Sequence, residues 1–144
     1  PAGVIFVDAI LPHPGRSWFE TVPPALAKRL KGMATDGRLP PWNRWTSEDP
    51  VARLVAAPAA RAELLVALPS IPVAYLAARA PDWPPIGAPC AYVQLSETYA
   101  REAIAARDGA WDVVREAAHH LAMVTEPDRV ASVLAQTAER LVST

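Results

Sequence analysis

Cysteine is almost absent from this chain. Cys90 is the single one in 144 residues, so no internal disulfide can form. Long apolar runs are missing as well. None exceeds about six residues before proline or charge cuts it, where a bilayer-spanning helix needs about 20. Positive charge is in no excess: 14 Lys and Arg stand against 15 Asp and Glu, a net charge of −1. A phosphate backbone needs a basic face, so a nucleic-acid partner is excluded. Only six glycines occur, and none builds a phosphate-cradling loop. Three histidines and one cysteine show no metal-ligand spacing, so neither a metal nor a cofactor is expected. The start, Pro1-Ala2-Gly3-Val4, has no basic n-region and no apolar h-region. A cytoplasmic location is the expectation, although a processed secreted chain would have lost its signal.

Apolar residues are plentiful, at 51%, which suffices for a core in a chain of one-domain length. Ala and Val dominate, a composition suited to helices packed on a buried sheet. Sixteen prolines exceed the usual usage of about 5%. They cluster at Pro12, Pro14, Pro23, Pro24, Pro40, Pro41 and through 69–89, punctuating periodic segments.

Val4-Ile5-Phe6-Val7 is a run of β-formers that reads as a strand buried on both faces, ending at Asp8. A loop follows through Leu11-Pro12-His13-Pro14. Pro23-Pro24 opens a helix with Leu26, Leu30 and Met33 at helical spacing, ending near Gly37. Ser47-Glu48-Asp49-Pro50 is a helix N-terminal signature, and Pro58 opens another helix with Leu64, Leu65 and Leu68 on one side. Residues 23–69 thus form an all-helical block, placed as an inserted lid would be. The segment Val73-Ala74-Tyr75-Leu76 fits a helix end or a short extended piece. Cys90 to Leu95 is the second strand, and a helix from Glu97 to Arg107 turns Ala100, Ala103 and Ile104 to one face, with Asp108-Gly109 at its end. Trp111 to Arg115 is the third strand. Glu126-Pro127 starts a last helix with Val130, Val133, Leu134 and Leu141 inward. Strand and helix alternate, which implies a parallel α/β sheet with right-handed crossovers.

Three segments carry a resemblance. Val4-Ile5-Phe6-Val7-Asp8-Ala9 with Leu11-Pro12 is similar to the strand after a nucleophile helix. Ala88-Pro89 through Leu95 is similar to the next strand. His120-Leu121-Ala122-Met123, followed by Pro127 and Val130, is similar to a catalytic-histidine loop and last helix. The chain resembles the C-terminal half of an α/β-hydrolase-fold protein, of the lid-bearing esterase-like kind common in high-GC bacteria. The resemblance implies a partial α/β-hydrolase fold over residues 1–144, with about three parallel strands, flanking helices and a helical lid at 23–69. It also implies a Ser-acid-His triad acting on esters or amides. The nucleophile is absent: none of Ser17, Ser47, Ser70, Ser96, Ser132 or Ser143 lies in G-x-S-x-G. In this resemblance the elbow and oxyanion loops fall upstream of Pro1.

His120 is the candidate base, at the place of the family's histidine before Leu-Ala-Met. The alternative is a loop histidine without a role, which describes most lone histidines. His119 is read as its partly exposed neighbour. Glu97, just past the second strand, is placed slightly ahead as the acid, although a carboxylate in a helix's first turn is favourable anyway. Asp8 is the rival acid; its structural alternative is a carboxylate holding the loop 11–15. Cys90 reads as core, and His13 as a loop residue. Trp18, Trp42, Trp45 and Trp83 either line an acyl pocket or pack the lid, the commoner outcome being packing.

Three functions follow. One is acyl hydrolysis of a small hydrophobic ester or amide, with a complementing N-terminal half supplying the serine. Another is a catalytically silent module binding a partner or ligand. The third is a homo-oligomer in which copies complete each other's sheet, because a first strand buried on both faces needs a neighbour.

Overall fold

The computed structural model describes residues 2–82 and 86–143. Trp83, expected beside the helical block, lies outside the described residues. The chain divides into two compact units, one of Pro1–Pro12 with Pro84–Thr144, the other of His13–Trp83.

In chain order the elements are β1 (Val4–Val7), α1 (Pro24–Met33), β2 (Arg38–Leu39), α2 (Pro50–Leu54), α3 (Pro58–Ala67), β3 (Ile71–Pro72) and α4 (Val73–Ala77). They continue with β4 (Cys90–Gln94), α5 (Ala100–Asp108), β5 (Asp112–Arg115), α6 (Ala122–Thr125) and α7 (Pro127–Val142). The first unit holds a three-stranded parallel sheet in the order β1-β4-β5. This is a mixed α/β structure with a helix-flanked parallel sheet, the pattern of a partial α/β-hydrolase fold.

The sheet buries both faces by alternation along each strand. Phe6, Tyr92 and Val113 pack on one side against Ala103 and Ala106 of α5. Ile5, Val7, Val93 and Val114 pack on the other against Val130, Val133 and Leu134 of α7. The doubly buried strand is β4, with all five residues buried. β1, expected in that role, is half-buried throughout because it forms an edge. In α5 the buried positions are Ala103 and Ala106, while Ile104 is turned outward, 54% exposed. Alanine lets that helix lie close to the ring of Tyr92. Past α5, Ala110 takes the left-handed conformation at φ 61°, not Gly109, as the Trp111 amide reaches back to the Ala106 carbonyl.

The second unit holds α1 to α4 and the antiparallel pair β2–β3, which the sequence pattern did not signal. Its core is Phe19, Leu30, Leu39 and Leu76. Trp18 packs edge-on against Phe19 and Trp45, with ring centroids 5.6 and 5.8 Å apart. The Trp45 indole donates to the Pro40 carbonyl at 2.8 Å. Both tryptophans therefore pack the unit itself. Asp49 caps α2, its carboxylate accepting from the amides of Val51 and Ala52. Leu64 of α3 and Leu68, which caps its end, are half-buried, and Leu65 is 38% exposed.

One core side chain governs the exit from β1. The Tyr92 hydroxyl donates to the Ala9 carbonyl at 2.7 Å and accepts from the Ala9 amide at 3.0 Å. Burial raises the phenol's pKa above its ordinary value, so it remains a neutral donor. Removing it strands two backbone groups at a half-buried site. Tyr92→Phe is expected to lower unfolding free energy by about 1–3 kcal/mol with an unchanged m-value in urea. A loss below about 0.5 kcal/mol would show that the clamp contributes no more than a surface contact.

Candidate functional site

Parallel strands bring their carboxyl ends to one edge, and this sheet collects three chemistry-bearing segments there. The β1–β4 ladder runs past Val7, with the Asp8 amide donating to the Val93 carbonyl at 2.8 Å. Asp8 then turns sharply, at φ 43°. A left-handed conformation costs a non-glycine residue roughly 1–2 kcal/mol, least for Asp and Asn. The turn aims its carboxylate at the end of β4.

Four donors meet that carboxylate. The amides of Leu95 and Ser96 each donate to Oδ1 at 2.9 Å. The Ser96 hydroxyl donates to Oδ2 at 2.7 Å, and His120 Nδ1 lies 2.9 Å from the same oxygen. The Asp8 side chain is 0% exposed and that of His120 39%. Burial alone would raise the Asp8 pKa. The hydrogen bonds from His120, Ser96 and Leu95 outweigh it and hold the pKa below the ordinary value of 3.8. Asp8 is thus ionised near neutral pH and can only accept, so the proton between it and His120 sits on Nδ1. That tautomer leaves the Nε2 lone pair of a neutral imidazole free, and Nε2 has no hydrogen-bond partner among the described residues.

The loop carrying His120 is anchored on both sides. The Glu116 amide donates to the Gln94 carbonyl at 2.9 Å, extending the β4–β5 pairing. Arg129 of α7 binds the carboxylates of Glu116 and Glu126 and donates to the Ala117 carbonyl at 2.9 Å. Leu121 and Ala122 are buried directly after the histidine. Tyr99 stacks on the imidazole, with ring centroids 5.1 Å apart and planes at 26°. Burial raises the Tyr99 phenol pKa, and the negative charges of Asp8 and Glu102 add to it.

The structure therefore joins His120 to Asp8 and not to Glu97. The Glu97 carboxylate pairs with Arg115 on β5, and both side chains are exposed, at 72% and 66%. His119 points elsewhere: its Nε2 meets the Thr125 hydroxyl at 3.2 Å, and its buried Nδ1 has no partner among the described residues. Cys90 is a buried free thiol whose pKa burial raises, which makes it a core residue. Sequence reasoning missed Ser96 and Tyr99. The signal available was their position, since both directly follow the strand whose end faces the site. Among the described residues no group of three His, Cys, Asp or Glu side chains could hold a metal ion, and no helix is long and apolar enough to cross a membrane.

Comparison with known proteins adds the fold. No protein-family model matches the sequence, and no curated protein matches it. Among solved structures the chain is similar to an extracellular α/β-hydrolase from a Paenibacillus species, itself described as sharing structural and functional homology with tobacco salicylic acid binding protein 2. The TM-score is 0.70 at 17% identity over 94% of this chain. The match spans 61% of that protein's length. The likeness shows an α/β-hydrolase-like fold.

The lowered Asp8 pKa has a pH signature. A carboxylate whose folded pKa is depressed contributes stability above its unfolded pKa and loses it as pH falls through the folded value. The stability gap between the natural chain and Asp8→Asn is therefore expected to narrow as pH falls below 3.8. Urea unfolding from pH 6 to about pH 2.5 measures it. A gap that stays constant across that range would mean the carboxylate is not held as an anion.

Proposed function

We propose that this chain carries the base and the orienting acid of a serine-hydrolase-type site for carboxylic esters or amides, with His120 as base and Asp8, rather than Glu97, as acid. The 2.9 Å contact between His120 Nδ1 and the buried Asp8 carboxylate carries this reading. Asp8 fixes the tautomer and stabilises the imidazolium, and Nε2 takes a proton from a nucleophile and passes it to the leaving group. The Ser96 hydroxyl lies at the site, but its proton is committed to Asp8. The nucleophile therefore comes from a segment outside these 144 residues, matching the absence of G-x-S-x-G within them. The substrate class is a small hydrophobic ester or amide. Residues 23–69 fall between β1 and β4 in the chain, where hydrolases of this fold carry a lid, and we assign them that role. A single buried thiol suits a cytoplasmic protein.

The 144-residue chain alone is expected to leave a p-nitrophenyl ester unhydrolysed. A longer chain or a second chain supplying the serine is expected to restore hydrolysis, with His120→Ala lowering kcat by about 10⁶, Asp8→Ala by about 10⁴ and Glu97→Ala by less than about tenfold. Turnover by the short chain, lost in His120→Ala and blocked by a fluorophosphonate, would overturn the missing-nucleophile reading. Full activity in Asp8→Ala would overturn the acid assignment.

The β1 edge favours a second reading, self-association through the sheet. Val4, Ile5, Phe6 and Val7 are half-buried at an edge whose outer backbone groups have no strand partner among the described residues. Two copies pairing at β1 would satisfy those groups. Light scattering coupled to size-exclusion, at tens of micromolar, is expected to give a dimer mass. A monomer at that concentration would count against it.

A further inference from the structure

The turn between β4 and α5 touches both members of the Asp8–His120 pair from one side. Ser96 gives Asp8 its amide and its hydroxyl, at 2.9 and 2.7 Å. Three residues on, Tyr99 lays its ring on the imidazole at 5.1 Å. Residues Glu97–Tyr99 form a single 3₁₀ turn, and the Tyr99 amide donates back to the Ser96 carbonyl at 3.3 Å. The turn is held at two further points. Glu97 pairs with Arg115 of β5, and Tyr99 packs with Tyr92, Ala103 and Ala106.

We propose that Ser96 and Tyr99 are positioning residues, and that the turn they belong to is a clamp setting the orientation of the Asp8–His120 pair. The inference rests on the pairing read above and names what holds it. Each residue does a separate part. The Ser96 hydroxyl occupies one lone pair of Asp8 Oδ2 and so leaves a single direction for the imidazole to approach. Tyr99 covers one face of a ring that is 39% exposed and opposes its rotation about Cβ–Cγ, which would turn Cδ2 toward Asp8. Glu97, chosen from the sequence as an acid, acts in this arrangement through its ion pair with Arg115.

The test reads the His120 tautomer, which packing losses elsewhere do not move. Long-range ¹H–¹⁵N spectra of the full chain at about pH 8, where an unperturbed imidazole is neutral, would be assigned with His13→Gln and His119→Gln variants. The natural chain, Tyr99→Phe and Ser96→Thr are expected to show the Nδ1–H form. Tyr99→Leu, which fills the half-buried site without a ring, and Ser96→Ala are expected to lower the Nδ1–H to Nε2–H ratio by about tenfold. Thermal melts establish that each variant is folded. The clamp is wrong if either folded variant keeps the natural ratio. Asp8→Ala separates this failure from failure of the pair: if it too leaves the ratio unchanged, the pairing itself falls. If Asp8→Ala collapses the ratio and the clamp variants do not, only the clamp falls.

Discussion

The buried charge on Asp8 is the constraint around which the sheet end is arranged. A carboxylate with no exposed side-chain surface loses its hydration, and an unpaired one would cost several kcal/mol even after relaxation. Protonation would relieve that cost, but the donors around it act the other way. Two backbone amides, one hydroxyl and one imidazole satisfy both oxygens. These donors come from chain segments 87 to 112 residues away from Asp8. Satisfying the charge thus requires β1, β4 and the loop after β5 to be assembled in one register. The site and the fold are coupled through this group.

The geometry of a parallel sheet makes that coupling possible. Its carboxyl ends point the same way, so the residue after β1, the turn after β4 and the loop after β5 emerge side by side. Each is fixed by a different device. The exit from β1 is held by the Tyr92 hydroxyl on Ala9, which secures a backbone conformation that Asp8 adopts at some cost. The turn after β4 is held by its contacts to β5 and to the α5 face of the core. The loop after β5 is held by Arg129 and by burial of Leu121 and Ala122. Chemistry-bearing residues lie on loops, and their precision comes from rigid neighbours.

Much of the fold was legible because it rests on local patterns. The apolar run 4–7, the strand 90–95 and the 3.6-residue spacing of Val130, Val133 and Leu134 each announce their element and its inward face. The sequence placed His120 after the third strand, and the structure pairs it with Asp8. That partner was not legible, because Asp8 and Glu97 both follow a strand and are both carboxylates. What separates them is solvation: Asp8 is sealed while the Glu97 side chain is 72% exposed. Burial depends on which segments meet across more than 80 residues, and no local spacing encodes it. Ser96 and Tyr99 escaped for the same reason, since their partners are remote. The doubly buried character assigned to β1 was misplaced onto an edge because an apolar run reports hydrophobicity on both faces but not the strand's rank in the sheet. The pair β2–β3, two residues each, is too short to leave a period-2 signal.

The same saturation that stabilises Asp8 decides what the pair can do. Its four acceptor positions are filled, and its pKa is lowered, so accepting a proton from His120 would break bonds that hold the loop and the turn. The proton on Nδ1 therefore stays on the imidazole. A second proton can enter only at Nε2, the nitrogen without a partner among the described residues. Under the proposed function the pair would act as a one-sided base, with Asp8 orienting the ring and proton exchange at its outer edge. That role requires a nucleophile placed against Nε2, since the Ser96 hydroxyl is already committed to Asp8.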